Sequence, residues 1–209
     1  MDRVIENYDR VLYTPSDIYE HIPTLYRYTR KCQSVIELGV RECVSTWAFI
    51  RGLLENEDLE KKKTLVLCDL ENHDNIKETR VLSEQLGIEF MFFQGSSLDV
   101  PLSESVDLVF IDTWHVYGHL KKELEKFAPY TRKYIIMHDT EVDKYEGESI
   151  RLNHDIPRLS QCFGIPEDEI RMGLQKAIDE FLDGHPEWMI DLIKTNNNGL
   201  TVLSRNDII

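Results

Sequence analysis

The sequence predicts an α/β protein with a doubly wound, Rossmann-like sheet that is mostly parallel and ends in an antiparallel hairpin. Short apolar runs alternate with helical patterns along most of the chain, which is the order of elements in a parallel sheet covered by helices. Residues 65–67, 108–111 and 134–137 are apolar without interruption, as in strands that are buried on both faces. Near the C-terminus, an Asn-Gly pair at residues 198–199 separates two strand-like runs and favours a hairpin.

The individual elements follow from local patterns in chain order. Ser16 is predicted to cap a helix over residues 16–30, because apolar side chains recur there on one face. Five strands are then predicted, at residues 34–39, 64–69, 88–94, 106–112 and 133–137, with helices between them at 44–54, 75–86 and 116–127. Residues 141–166 have weak periodicity and are predicted to form a lid or substrate loop. A helix at 167–184 and a hairpin of residues 189–194 and 200–204 complete the chain.

Composition and charge limit the class of protein. The 209 residues suit one domain (1–209), divided into an N-terminal helical segment (1–32), a core (33–140), the lid (141–166) and a final helix with the hairpin (167–209). The net charge of −14 argues against a nucleic-acid partner. No apolar run is long enough for a membrane span and no secretory signal is recognisable, so we expect a cytoplasmic protein. The four cysteines lack the spacing of a zinc site and are expected to be reduced.

Candidate binding residues follow the first three predicted strands, at the sheet edge where doubly wound folds bind ligands. Glu37, Gly39 and Ser45 surround the turn into the next helix, whose unpaired N–H groups can hold a carboxylate. Asp69 ends the second strand, where an acidic side chain can accept both hydroxyls of a ribose. The alternatives are a plain tight turn at Gly39 and a solvated acid at Asp69. After the third strand come small residues that let a flat ring approach the backbone: Gly95, Ser96 and Ser97.

Two carboxylates and two imidazoles follow the fourth and fifth strands: Asp112 and His115 after one, His138 and Asp139 after the other. Because neighbouring parallel strands end at one crevice, we expect the four side chains to meet. Such a group can hold a divalent cation, and a neutral histidine can take a proton from a hydroxyl. Helix capping is the plain alternative for a single Asp. Of the other histidines, His154 lies in the predicted lid and four are predicted at the surface: His21, His73, His119 and His185.

These motifs together resemble the class I S-adenosylmethionine-dependent methyltransferases, over about residues 33 to 205. The likeness consists of Glu37-Leu38-Gly39, Asp69, Asp112 and the terminal hairpin. Residues 111–117 (IDTWHVY) and 137–140 (MHDT) resemble the metal-assisted O-methyltransferase branch of cephalosporin-hydroxylase-like and macrocin-type enzymes. Within that branch the chain is similar to viral methyltransferase domains of glycan synthesis that act on deoxysugars such as rhamnose. For a viral protein, the expected location is the host cytoplasm.

The resemblance implies S-adenosyl-L-methionine as a cofactor and a divalent cation, Mn²⁺ or Mg²⁺, beside it. It assigns nine residues to the cofactor: Glu37 and Gly39 at the methionine end, Asp69 at the ribose, Ser96 and Ser97 on the adenine side, with Ser45, Leu70, Gly95 and Asp112 around them. The resemblance also implies that Asp112, His138 and Asp139 bind the cation. It implies that His115 acts as the base and that Asp112 and His138 are further catalytic residues. Arg41 and Cys43 stand where further glycines are common, and His138 stands where related enzymes often have Glu or Asp.

The leading hypothesis is that the protein is an O-methyltransferase in glycan synthesis, which methylates a hydroxyl of a carbohydrate acceptor. It is expected to be part of a larger glycosyltransferase polypeptide. Trp114 and Tyr117 are predicted either to stack on the sugar or to belong to the core. One alternative is a nicotinamide-dependent oxidoreductase, although the G-x-G-x-x-G pattern is missing. Another is a non-catalytic module that binds glycan or protein, although so charged a cleft is costly to keep without use.

Overall fold

The computed structural model describes residues 1–56, 58 and 62–206, and within them the chain forms one sheet of seven strands. The strands are β1 (Ser34–Leu38), β2 (Lys63–Asp69), β3 (Ile88–Gln94), β4 (Val106–Ile111), β5 (Thr131–His138), β6 (Trp188–Lys194) and β7 (Leu200–Arg205). Their order in the sheet is β3-β2-β1-β4-β5-β7-β6. β1 to β5 are parallel to one another, whereas β7 is antiparallel to both β5 and β6. The predicted doubly wound α/β sheet with a C-terminal hairpin is confirmed.

Helices cover both faces of this sheet. They are α1 (Asp2–Tyr13), α2 (Ile22–Thr29), α3 (Thr46–Leu54), α4 (Asn75–Gln85), α5 (Tyr117–Phe127), α6 (Glu148–Arg151), α7 (Ile156–Phe163), α8 (Glu167–Arg171) and α9 (Leu174–Gly184). Side chains of α1 to α4 pack in one apolar cluster on the sheet, and those of α5 and α9 pack in a second. Successive strand residues alternate between the two, since Val35 belongs to the first cluster and Ile36 to the second. No helix among the described residues combines the length and apolarity needed to cross a membrane.

The N-terminal segment differs from the prediction. The helix predicted over residues 16–30 is only Ile22–Thr29, and a short 3-10 turn at Tyr19–His21 precedes it. The chain also forms α1 at residues 2–13, where the sequence analysis predicts no element. The buried side chains of α1 are Val4, Tyr8 and Val11, which recur at helical spacing. The signal for this helix was therefore present, but the charged residues between these positions obscure it.

The helix predicted over residues 167–184 is in fact two helices, α8 and α9, separated by Met172 and Gly173. The chain after β5 passes directly against Gly173, where an added Cβ would lie 2.4 Å from the carbonyl oxygen of Asp143. The amide of Leu174 also donates a hydrogen bond to that oxygen, at 2.9 Å. The break makes room for a tertiary contact, which a helical pattern does not encode.

Residues 141–166, the predicted lid, contain α6 and α7. Ile156 and Ile165 from this segment pack with Val116 and Ile170 in a small third apolar cluster. The segment is thereby anchored beside the start of α5. Its role as a lid over an acceptor stays a prediction.

The sheet order brings the ends of β1, β4 and β5 together, because β4 pairs with β1 on one side and with β5 on the other. Gly39, directly after β1, has a φ of +82°, and an added Cβ would lie 1.8 Å from the carbonyl oxygen of Asp112. Only glycine permits this approach. The turn after β1 therefore lies directly against the residues that follow β4.

Candidate active site

Two of the predicted cofactor residues, Glu37 and Ser45, are in contact below the turn that follows β1. Glu37 is fully buried, and its carboxyl group accepts hydrogen bonds from the hydroxyls of Ser45 and Thr46, the latter at 2.7 Å. Burial raises the pKa of Glu37 to about 8, although both hydroxyl bonds favour the ionised form. Glu37 is therefore mostly protonated at neutral pH and fixes the start of α3.

Asp69 holds the same turn from the end of β2. Its Oδ2 accepts hydrogen bonds from the amides of Val40, at 2.8 Å, and Arg41, at 2.9 Å. Its Oδ1 accepts one from the amide of Glu71, at 3.0 Å. A carboxylate offers about four acceptor positions, so the three amides leave about one for a ribose hydroxyl. Asp69 thus anchors the turn, and its predicted contact with a ribose stays a prediction.

The two residues that stand where glycines are common adopt the conformation that glycine favours. Arg41 has a φ of +40° and Cys43 a φ of +60°. A left-handed conformation costs a residue with a side chain about 1–2 kcal/mol. The hydrogen bonds that Asp69 accepts from the turn and the burial of Cys43 offset this cost, so tertiary contacts hold the turn in its shape.

The predicted adenine-side residues lie at the ends of β2 and β3. Leu70 is 64% exposed and offers an apolar surface beside the turn. The amide of Gly95 donates to the carbonyl of Asp69 at 2.9 Å, which fixes the end of β3 against that of β2. The hydroxyl of Ser96 accepts from the amide of Leu98, at 3.2 Å. These residues lie together at the carboxyl ends of β2 and β3, and their predicted contact with the adenine stays a prediction.

Ser97 belongs to a buried polar chain that crosses from the β3 loop to the β4 loop. Its hydroxyl lies 3.2 Å from Nε2 of His119, which in turn lies 3.3 Å from the carboxylate of Glu123. Glu123 is fully buried and accepts a hydrogen bond from the hydroxyl of Thr113, at 2.9 Å. The prediction that His119 lies at the surface is wrong, because the periodicity of α5 does not reveal a polar partner from another loop.

The structure brings together the four residues predicted after β4 and β5. Oδ1 of Asp112 lies 3.2 Å from Nε2 of His115 and 3.3 Å from Nδ1 of His138. Oδ2 of Asp139 lies 3.0 Å from Nδ1 of His115 and 3.6 Å from Nδ1 of His138. Asp139 also has a φ of +56°, a strained conformation of the kind that persists at functional sites.

Three charged residues of the predicted lid complete this cluster, and the sequence analysis assigns none of them to the site. Oε2 of Glu148 lies 3.1 Å from Nδ1 of His115, and Oδ2 of Asp143 lies 3.5 Å from the same atom. Arg151 donates two hydrogen bonds to the carboxylate of Asp143, both at 2.7 Å. The acidic character of the segment was the available signal, but sequence position does not show which acids face His115.

The side chains of this cluster are ionisable and lie where little water reaches them. Burial opposes charge on His115 and His138, but the surrounding carboxylates raise the pKa of both, that of His115 well above its ordinary value. Burial likewise opposes ionisation of Asp112, but the two imidazoles hold its pKa below the usual range. The cluster contains four carboxylates and one guanidinium, that of Arg151, and so attracts positive charge.

The residues fit a divalent cation. Asp112, His138 and Asp139 each offer one ligand atom, and these atoms lie within 4.8 Å of one another. An ion bound at about 2.1 Å places adjacent ligands about 3.0–3.4 Å apart, close to the 3.3 and 3.6 Å that separate Nδ1 of His138 from the two carboxylates. Oδ1 of Asp139 is buried and has no hydrogen-bond partner among the described residues, so this oxygen is available to a ligand. Oxygen and imidazole donors together suit Mn²⁺ or Mg²⁺.

A second histidine and the hairpin turn orient His138. Nε2 of His138 lies 3.3 Å from the carbonyl oxygen of Asn197, which can only accept, so this nitrogen donates. Nδ1 faces the carboxylates, and its lone pair would be available to a cation that displaces its proton. Nε2 of His21 lies 3.0 Å from the same oxygen. His21 is fully buried, and burial lowers its pKa to about 4, so it is neutral at pH 7. The prediction that His21 lies at the surface is wrong, because its partner comes from the far end of the chain.

The two aromatic residues after β4 have different surroundings. Tyr117 is 4% exposed, and its hydroxyl donates a hydrogen bond to Glu180 at 2.7 Å. Of its two predicted alternatives, the core position is therefore the one that the structure supports. Trp114 is half-buried, donates to the hydroxyl of Ser149 at 3.1 Å, and lies 5.1 Å from the ring of Phe163. Its contact with a sugar stays a prediction.

Solved structures share this fold. A methyltransferase from Podospora anserina with S-adenosylhomocysteine bound has a TM-score of 0.59 at 14% identity, over 99% of this chain and 89% of that one. An O-methyltransferase from Bacillus cereus in complex with S-adenosylhomocysteine has a TM-score of 0.58 at 17% identity, over 98% and 90%. The N-methyltransferase NodS from Bradyrhizobium japonicum, also with S-adenosylhomocysteine, has a TM-score of 0.58 at 11% identity, over 94% and 91%.

No protein-family model matches the sequence, and no curated protein matches it. At these identities the structural likeness establishes the fold, which is that of the class I methyltransferases. The similar structures transfer methyl groups to oxygen or to nitrogen, according to their names. The acceptor must therefore be argued from the residues of this chain.

Proposed function

We propose that this chain is an S-adenosylmethionine-dependent O-methyltransferase that acts on a sugar hydroxyl, such as that of a deoxysugar, with a divalent cation in its active site. One observation carries the proposal. The Asp112, His115, His138 and Asp139 cluster lies at the ends of β4 and β5, directly against the turn at Gly39. Ligands of doubly wound folds bind at this edge of the sheet.

The cofactor would lie along the ends of β1, β2 and β3, and it supplies a methyl group on a positively charged sulfur. The methionine end would lie at the turn at Gly39, near the buried carboxyl group of Glu37. The remaining acceptor position of Asp69 is available to a ribose hydroxyl. Leu70, with Ser96 nearby, would contact the adenine. The carboxylate of Asp112 extends the same path towards the acceptor.

The acceptor hydroxyl would lie beside Asp112, where it faces the methyl group. Asp112, His138 and Asp139 would hold a divalent cation, which would supply a lowered pKa for a contacting hydroxyl and help to orient a sugar. The pKa of His115 would fall when Asp112 and Asp139 bind this cation, because the cation would offset the carboxylates that keep His115 protonated. His115, whose Nε2 lies 3.2 Å from Asp112, would then be placed to take the hydroxyl proton. Asp139 and Glu148, at 3.0 and 3.1 Å from its other nitrogen, would stabilise the resulting imidazolium. Much of the rate would come from positioning the two reactants.

The finer assignments rest on the sequence resemblance. These are a role in glycan synthesis, a deoxysugar such as rhamnose as acceptor, association with a glycosyltransferase polypeptide, and a cytoplasmic location. The cluster itself supports an acceptor with neighbouring hydroxyls, because such a group can contact a hard cation through two oxygens.

The test is methyl transfer from S-adenosylmethionine to a panel of deoxysugar and hexose acceptors, before and after removal of divalent ions with EDTA. We expect EDTA to reduce turnover by about 100-fold or more and Mn²⁺ or Mg²⁺ to restore it. Asp139→Asn should mimic EDTA while S-adenosylmethionine affinity, measured by calorimetry, stays within about twofold. Glu141→Gln is the matched control, because this nearby carboxylate pairs with Lys144 instead of the cluster.

The outcomes separate the parts of the proposal. Full turnover after EDTA treatment would remove the cation from the mechanism and leave His115 as a plain base. No binding of S-adenosylmethionine would refute the cofactor. Tight cofactor binding with no transfer to any sugar would refute the acceptor class.

A further inference from the structure

The amino-terminal edge of the sheet contains a cationic cavity that the proposed reaction does not use. The cavity has a volume of about 940 Å³. The described residues that line it include six cations: Arg27, Arg30, Lys31, Lys62, Arg132 and Lys133. Among the described lining residues, two carboxylates accompany them, those of Asp58 and Asp107. Because the whole chain has a net charge of −14, a cavity in which cations outnumber acids is a marked departure from the rest of the molecule.

The cations approach the cavity from two walls. Arg27, Arg30 and Lys31 come from the end of α2, where positive side chains also interact favourably with the helix dipole. Lys62, Arg132 and Lys133 form the second wall, at the starts of β2 and β5. Nζ of Lys133 donates a hydrogen bond to the carbonyl oxygen of Lys31, at 2.5 Å, which joins the two walls, and Lys62 also pairs with Glu89. The dipole of α2 does not account for the three cations at the starts of β2 and β5, so the positive charge of the cavity has more than one structural origin.

A buried carboxylate organises part of the second wall. Asp107 is 3% exposed and accepts hydrogen bonds from Nε of Arg132, at 2.8 Å, and from the amide of Gln33, at 2.7 Å. The ammonium group of Lys133 lies 3.7 Å from the same carboxylate. These contacts restrain the two cationic side chains, which lowers the entropy cost of binding an anion between the walls.

We propose that this cavity binds a pyrophosphate-bearing small molecule. Cations on two walls suit an anion whose charge is spread over two phosphate groups, and Arg and Lys are the usual partners of phosphate oxygens. The volume lies at the upper end of the 300–1,000 Å³ that is common for small-molecule sites. It exceeds what a single inorganic phosphate needs, which leaves room for a further part of the ligand beyond its phosphates.

The cavity is separate from the candidate active site. Its residues lie before or at the starts of β1, β2, β4 and β5, whereas the His and Asp cluster lies after β4 and β5. A strand of six residues, such as β4, spans about 20 Å. The ligand of this cavity is therefore neither the methyl donor nor the acceptor.

The test is a calorimetric titration of the full chain with inorganic pyrophosphate at low ionic strength, and with sulfate as the comparison anion. We expect saturable binding of pyrophosphate that is at least tenfold tighter than that of sulfate and weakens as salt is added. The double variant Arg27→Ala, Lys31→Ala should weaken it about tenfold or more, since both side chains are exposed and line the cavity. The matched control is Arg10→Ala, Lys77→Ala, which removes the same charges from exposed positions elsewhere.

Each result bears on the proposal. Absence of saturable binding, equal affinity for sulfate, or equal losses in the two double variants would overturn it. Thermal unfolding of both variants shows whether the fold is intact, and Lys133→Gln offers an independent loss of one cation. S-adenosylmethionine affinity should stay within about twofold in all of them, so failure here is distinguishable from failure of the proposed methyl transfer.

Discussion

Replacement of Glu37 by glutamine should remove a large pH dependence from the stability of the protein. The carboxyl group is fully buried, and burial raises its pKa from an ordinary value of 4.5 to about 8. Between these two pH values the folded protein holds a proton that the unfolded chain has lost. Rising pH therefore favours unfolding over this window, and the free energy of unfolding falls until it levels off above about pH 8.

The size of the effect follows from the shift. One pKa unit corresponds to about 1.4 kcal/mol, so the full window is worth about 5 kcal/mol as an upper limit. The Glu37→Gln side chain has nearly the same shape and no charge, so its stability should lack this slope. Urea unfolding of both proteins between about pH 5 and about pH 9 measures the difference between their free energies of unfolding. Groups that titrate alike in the two proteins cancel in this difference. Parallel curves over that range would refute the reasoning.

Cofactor binding offers a second measurement on the same residue. The methionine end of S-adenosylmethionine is cationic near the sulfur, which favours the ionised form of a neighbouring carboxyl group. If Glu37 contacts it, binding at pH 7 should release close to one proton. Binding heats in buffers of different ionisation enthalpy count that proton, and the Glu37→Gln variant should release none. Equal proton release by the two proteins would place the methionine end elsewhere.

Three further predictions concern the turn, the hairpin and the lid. Asp69→Ala should lower the affinity for S-adenosylmethionine, and it should lower the free energy of unfolding by about 2–4 kcal/mol, because three backbone amides lose their acceptor. Unchanged stability in urea unfolding would mean that the turn holds its shape without Asp69. His21→Phe should weaken Mn²⁺ binding about 10-fold, because His21 and His138 both contact the carbonyl oxygen of Asn197, which orients His138. Electron paramagnetic resonance measures the bound Mn²⁺, and an unchanged affinity in a folded variant would mean that His21 does not support the site. Hydrogen exchange in residues 141–166 should slow when Mn²⁺ and an acceptor bind, and strong protection without ligand would make the segment a fixed structural part.

The sheet could be predicted because its signals are local. The apolar runs of β4 and β5 are buried on both faces, whereas Val66 of β2 is half-buried between Leu65 and Leu67. The Asn-Gly turn specifies the hairpin. Strand ends also have a fixed meaning in a parallel sheet. For this reason the convergence of Asp112 and His138 could be expected from sequence, and the structure places them 3.3 Å apart.

The surroundings of the candidate site depend on contacts between distant parts of the chain. Periodicity tells which face of an element is buried, but it does not tell which neighbour covers that face. The sequence therefore shows that Tyr117 is either core or ligand-facing, and only its packing against α9 decides for the core. In the same way, the interruption of the C-terminal helical pattern at Gly173 depends on the chain that passes against it.

The sequence by itself determined the sheet, the edge at which ligands are expected and the four central residues of the cluster. Tertiary structure alone decided that Glu148 reaches His115, and that the carbonyl of Asn197 lies between two imidazoles. It also decided that the carboxylate of Asp69 accepts hydrogen bonds from three backbone amides, two of them in the turn after β1. The physical reason is common to all three: each hydrogen bond or ion pair joins segments that are far apart in the sequence, so their meeting depends on how the whole chain packs.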